Sequence, residues 1–116
     1  MGKVLFRVRV KPIYSSKKTY ARTTMVKVLR NGNIALKPRG GLTTKLWGVS
    51  TKRIENSSIS RITYKNAHTG ILTYQRSLTI EMTNGDRVSF RLQRFANRMN
   101  LEHLLAEIYG NRFSQA

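Results

Sequence analysis

The sequence predicts a mainly β protein: a small antiparallel barrel or bent sheet of six to seven strands, capped by one C-terminal α-helix at about residues 97–109. Three observations carry this expectation. Short segments alternate apolar and polar residues with period 2, the mark of half-buried strands. Turn signals, among them Asn31-Gly32 and Asn84-Gly85, recur roughly every eight to twelve residues. Only the last segment changes to helical spacing, where Met99, Leu101, Leu104, Leu105 and Ile108 form one apolar stripe.

Taken in order, residues 3–11 alternate Val4, Phe6, Val8 and Val10 with Lys3, Leu5, Arg7, Arg9 and Lys11. This is a strand with an apolar inner face and a mostly cationic outer one, which Pro12 ends or bends. Residues 15–19 form a basic loop with Lys17 and Lys18 at its tip, and Tyr20 and Arg22 at its far edge. Residues 23–30 and 33–37 flank Asn31-Gly32 as a hairpin, burying Val26 and Val28 with Thr24, and Ile34 with Leu36. Pro38-Arg39-Gly40-Gly41 breaks the pattern into a cationic loop, and residues 42–49 read as a strand with Trp47 near its end. Residues 51–54 are a short strand or turn. Ile59, Ile62 and Tyr64 fit a short strand or a helical turn equally well, and residues 65–70 read as a loop.

Apolar character resumes near Ile71 or Leu72. Leu78, Ile80 and Met82 then alternate with Thr79, Glu81 and Thr83, and Val88, Phe90 and Leu92 alternate with Arg87, Ser89 and Arg91. Between them, Asn84 and Gly85 both tolerate the positive φ of a type I′ turn. Asn97 or Asn100 suits the helix N-cap, and Gly110 stands where a C′ residue belongs. A hairpin with one apolar face, followed at once by a helix with one apolar stripe, implies that the helix covers the sheet.

At 116 residues the chain reads as a single domain, 1–116, able to bury roughly two thirds of its unfolded surface. Its charge is unusual: twenty-two Lys and Arg against five acids, or +17. Residues 1–65 hold sixteen of those cations and one acid, Glu55, whereas residues 66–116 hold six cations and four acids. The second half therefore reads as scaffold and the first as the source of a positive field, which favours a polyanionic partner. No apolar run approaches a membrane span, and no secretory or myristoylation signal is visible, so a cytoplasmic location is expected. Without cysteine there are no disulfides or thiolate metal sites.

Enzymatic chemistry is not expected. Glu81 and Asp86 flank a turn beside arginines, while Glu102, His103 and Glu107 lie on the polar side of the helix. His68 and His103 make no metal-ligand pattern, and Gly40-Gly41 precedes a strand rather than a helix, so neither metal, cofactor nor phosphate loop is implied. What remains is a basic surface with interleaved aromatics: Arg7, Arg9, Lys11, Lys17, Lys18, Arg22, Lys37, Arg39, Lys45, Lys52 and Arg53. Arg7, Arg9 and Lys11 share one strand face at a spacing of roughly 6.6 Å. Tyr14, Tyr20 and Trp47 are the candidates for stacking on unpaired bases.

The order of elements resembles a pleckstrin-homology-like or GRAM-like small β-barrel, in which about seven strands precede one capping helix. Residues 59–108 carry the likeness: Ile59 with Ile62, the strand Leu78 to Met82, Asn84-Gly85, Phe90 with Leu92, and the Leu-rich helix Leu101 to Ile108. These are structural residues, so the resemblance implies a fold and not a function. Members that bind phosphoinositides use a basic pattern around a hairpin, which Lys27, Lys37 and Arg39 can be made to fit.

The expected function is nucleic-acid binding by phosphate contacts, for DNA or RNA alike, alone or as a component or inhibitor of a nucleoprotein complex. A phage or mobile-element origin suits a small, very basic chain of this kind. The alternatives are a peripheral module for anionic lipid and an adaptor for an acidic protein. No helix-turn-helix, zinc-finger or basic-zipper pattern is present, so a recognition helix is not expected. Neutralising about six to ten phosphates of a duplex sets a log-affinity against log-salt slope of about −5 to −9.

Overall fold

The alternation of Phe6, Val8 and Val10 with Arg7, Arg9 and Lys11 produces β1 (Val4–Ser15), on which the rest of the computed structural model is assembled. The structure describes residues 3–38, 51–68, 74–93 and 101–115. In chain order β1 is followed by β2 (Thr23–Leu29), β3 (Ile34–Pro38), β4 (Lys52–Ile54), β5 (Ile59–His68), β6 (Tyr74–Met82) and β7 (Arg87–Leu92). The helix α1 (Leu101–Tyr109), one 3₁₀ turn and a last short strand, β8 (Phe113–Gln115), complete it. The strands form one sheet in the order β4-β3-β2-β1-β7-β6-β5-β8, curled into a half-barrel.

The fold class is the expected one, with eight strands among the described residues. β8 escapes a sequence reading because three residues show no periodicity; it joins as a parallel edge strand, Ile62 to Tyr64 facing Phe113 to Gln115. The candidate strand 42–49, with Trp47, and the candidate N-caps Asn97 and Asn100 lie outside the described residues.

Pro12 neither ends β1 nor breaks it. The strand pairs with β2 from Val4 to Arg9 and with β7 from Val10 to Ser15, so it changes partner midway. Proline is tolerated where one flank of a strand no longer needs a donor, and beside it the register slips: Pro12 faces Phe90, but Tyr14 faces Ser89. Ile13 is the extra residue of a bulge.

Phe6, Val8 and Val10 join Val26, Val28, Ile34, Leu36, Ile62, Leu78, Ile80, Val88 and Phe90 in one core on the concave side. Leu101, Leu105 and Tyr109 of α1 press on that side, and Leu104 and Ile108 pack at its margin. Truncating Phe90, which is fully buried, to alanine costs about 3–5 kcal/mol by the usual cavity argument. Val4 departs from the expected inner face, with 46% of its surface exposed, because the register against β2 shifts between Val4 and Phe6.

Two expectations need correction. Residues 65–68 belong to β5 rather than to a loop, and pair as far as His68 with Tyr74. Lys65 and Asn66 are both exposed, so no alternation of buried and exposed residues marks this part of the strand. The turn at Asn84-Gly85 is also not type I′, since among the described residues only glycines have positive φ. Gly85 donates its N–H to Met82 and sits at φ +94, while Met82 takes Asp86 as its ladder partner. Asn31-Gly32 repeats this: Gly32 donates to Leu29, sits at φ +88, and Leu29 bonds Asn33. These are three-residue loops with a glycine bulge. Each asparagine side chain accepts from the N–H two residues on, Asn31 from Asn33 at 3.0 Å and Asn84 from Asp86 at 2.9 Å. The Asx bond gives asparagine a use for its side chain that requires no left-handed backbone.

The two loops differ in their surroundings. An added Cβ on Gly85 meets open space, whereas one on Gly32 falls 2.3 Å from Asn56 Nδ2. Gly85→Ala is therefore expected to cost about 1–2 kcal/mol of backbone strain, and Gly32→Ala distinctly more. Urea midpoints of the two variants check the order; equal losses would refute the collision.

Candidate nucleic-acid interface

Strand pairing decides which of the many cations share a face. Residues directly opposite each other in a ladder project to the same side, and neighbouring strands lie about 4.7–4.9 Å apart. Starting from the outward residues of β1, Arg7 faces Lys27, which faces Ala35, which faces Arg53. Arg9 faces Met25, and Met25 faces Lys37. Toward the other side of the sheet, Lys11 faces Arg91, then Ser77, then Lys65. These three rows form one convex, cationic field running from β4 across β1 to β5.

Two further rows extend it. Tyr14, Ser89, Thr79, Thr63 and Ser114 stand in line across five strands. Their hydroxyls pair, Thr79 with Ser89 at 2.9 Å and Thr63 with Ser114 at 3.1 Å. Beyond them, Arg87 and Arg61 flank Glu81, the one carboxylate in these rows. The Arg87 guanidinium carbon lies 5.9 Å from the centre of the Tyr14 ring, a cation–π distance.

Of the residues expected to bind, Arg7, Arg9, Lys11, Lys37 and Arg53 are thus brought together, and all five are exposed. Lys65 and Arg91 join them without being expected, and so does Lys27, which the sequence offers only for the phosphoinositide-type pattern. Each alternates with a buried residue of its strand, which is the signal that was present, but their alignment depends on register.

The first loop is placed differently. Lys17 Nζ forms an ion pair with Asp86 at 2.8 Å. Ser16 donates its N–H to Arg87 O, Arg87 returns its N–H to Ser16 Oγ at 2.8 Å, and the Ser15 hydroxyl donates to Lys17 O. The loop is clasped onto the β6–β7 turn rather than reaching outward. Tyr20 packs partly buried against the core with its hydroxyl toward Met82 Sδ. Lys18 and Arg22 are exposed, and Lys52 stands opposite Leu36, on the alternate parity from Arg53. Arg39, Lys45 and Trp47 lie outside the described residues.

Behind the face, a polar latch ties the helix to two turns. Tyr109 donates its hydroxyl to Gly32 O at 2.7 Å, and burial pushes its phenol well above the ordinary tyrosine range. Arg112 donates to the carbonyls of Asn56 and Ile59 and to Asn56 Oδ1. Asn56 in turn donates its side chain to Asn31 O and its N–H to Asn33 Oδ1.

No protein-family model matches the chain, and no curated protein sequence matches it. Among the described residues, no helix is long and apolar enough to cross a membrane.

The clasp has a definite pH signature. The hydrogen bond from Lys17 holds the Asp86 carboxyl below its ordinary 3.8, and the same bond raises Lys17 above 10.5. The pair's contribution is thus present above pH 3.8, where Asp86 is ionised in both states, and is lost as pH falls through the lowered value. At the alkaline end it is lost as pH rises through the raised value of Lys17. An NMR titration of the Asp86 carboxyl carbon is expected to show a midpoint below 3.8 that moves up in Lys17→Met. An unchanged midpoint would mean the clasp is open in solution.

Proposed function

We propose that the protein binds nucleic acid through the convex face of its sheet, chiefly by electrostatic contacts to phosphates. The observation that supports this is the registered rows, Arg7 with Lys27 and Arg53, Arg9 with Lys37, and Lys11 with Arg91 and Lys65. Cations about 6.6 Å apart along β1 and one or two strand widths apart across it match the repeat of a polyphosphate chain better than a single compact anion. Such contacts position a ligand without reading sequence. The same chemistry suits a role within, or against, a larger nucleoprotein complex.

A second reading follows from the architecture. Seven strands and then a helix are the order that the pleckstrin-homology-like resemblance implies, and Lys27 and Lys37 stand on neighbouring strands of the convex face. On that reading the face binds anionic lipid or an acidic protein.

The discriminating variant is Arg7→Gln, Arg9→Gln, Lys11→Gln, read by fluorescence anisotropy across a salt titration, beside co-sedimentation with vesicles of acidic and neutral lipid. The nucleic-acid reading expects weaker binding and a slope flattened by about 2–3 units. These side chains are exposed, so the urea midpoint should hold. Wild-type slope and affinity in the folded triple variant would refute it, and retention on acidic vesicles alone would favour the lipid reading.

A further inference from the structure

The convex face carries one feature that phosphate contacts do not use. Tyr14 leaves 54% of its surface exposed, and its neighbour Ile13 leaves 52%. By contrast Tyr64 and Tyr109 are 3% exposed, and Tyr20 is packed against the core.

The bulge is the cause. Val10 and Pro12 fall on the parity of the buried side, and an unbroken strand would turn Tyr14 inward after them. The extra residue Ile13 shifts the register by one, so Tyr14 faces Ser89 in an outward row. A large aromatic is thereby moved from core to water, at the loss of the burial it would otherwise gain. It arrives in a particular setting. Arg87 stands against the ring, Arg91 and Lys11 occupy the adjacent row, and the Ser89 and Thr79 hydroxyls continue its own row.

Resting on the nucleic-acid reading above, we propose that Tyr14 is a stacking platform for an unpaired base, which makes single-stranded nucleic acid the ligand of this face. A duplex keeps its base faces inside and presents this surface with phosphates alone, so it gains nothing from the ring. A single strand laid over the β1–β7 rows sets its phosphates against Lys11, Arg87 and Arg91 while one base covers Tyr14. The ring has a π-face for any base, so the platform selects strandedness and not sequence.

The test compares labelled oligo(dT), oligo(U) and a mixed duplex of equal length by anisotropy at matched low salt, for wild type, Tyr14→Ala and Tyr14→Phe. Tyr14→Ala is expected to lose roughly tenfold or more on the single strands. Its salt slope and duplex affinity should stay as in wild type, and phenylalanine should restore binding. A loss confined to oligo(U) or to oligo(dT) supports the platform, and oligo(dU) then separates the sugar from the 5-methyl group as the cause. Unchanged single-strand affinity in Tyr14→Ala, or an equal loss on the duplex, overturns it while leaving phosphate binding standing. Wild-type protein that binds none of the three probes overturns the nucleic-acid reading and this inference together. A urea midpoint confirms that the exposed position tolerates each change.

Discussion

The structure depends on one strand having two partners. β1 gives its first half to β2 and its second half to β7, and so joins the β2-β3-β4 meander to the β7-β6-β5 one. Everything else inherits its inside and outside from that junction. Because the side-chain period in a strand is two, every register on either side of β1 is tied to whether Phe6, Val8 and Val10 point into the core. Once they do, Arg7, Arg9 and Lys11 must point out, and each ladder carries that choice to the next strand.

This arrangement also reconciles a large positive charge with a folded state. A net +17 opposes compaction by self-repulsion, and the apolar residues must overcome it. Placing cations on the convex side keeps them in water and spreads them, while the concave side gathers the apolar residues under α1. Glu81 between Arg61 and Arg87, and Asp86 against Lys17, put two of the five acids beside cations.

The concave side is closed by polar as well as apolar contacts. Arg112 and Asn56 connect the end of α1, the β4–β5 link and the β2–β3 turn, and Tyr109 reaches the same turn from the helix. A buried phenol and a shared asparagine need their partners, because an unpaired polar group there costs more than the bond contributes. The latch therefore fixes how the helix lies across the sheet, where leucine contacts alone allow sliding.

What the sequence determined by itself was local. Period-2 alternation identified most inner residues of β1, β2, β3, β6 and β7, but not at Val4, which is exposed, nor at Thr24, where Thr23 is buried instead. The Asn-Gly pairs marked both hairpins, and Gly110 marked the end of α1, where its φ is +58. The Leu-rich stripe located the helix, whereas the charge asymmetry did not single out the convex rows, which include Arg87 and Arg91 of the less basic half. Tertiary structure alone decided which cations are neighbours. Arg91 and Lys65 join Lys11 through the pairing of β1 with β7, strands far apart in the chain, and no local pattern encodes such a register; Lys27 joins Arg7 through the consecutive strands β1 and β2. It likewise decided that Lys17 turns to Asp86, that β5 runs on to His68, and that one extra residue at Ile13 turns Tyr14 outward. Burial leaves a periodic trace in the chain, whereas pairing between distant strands leaves none.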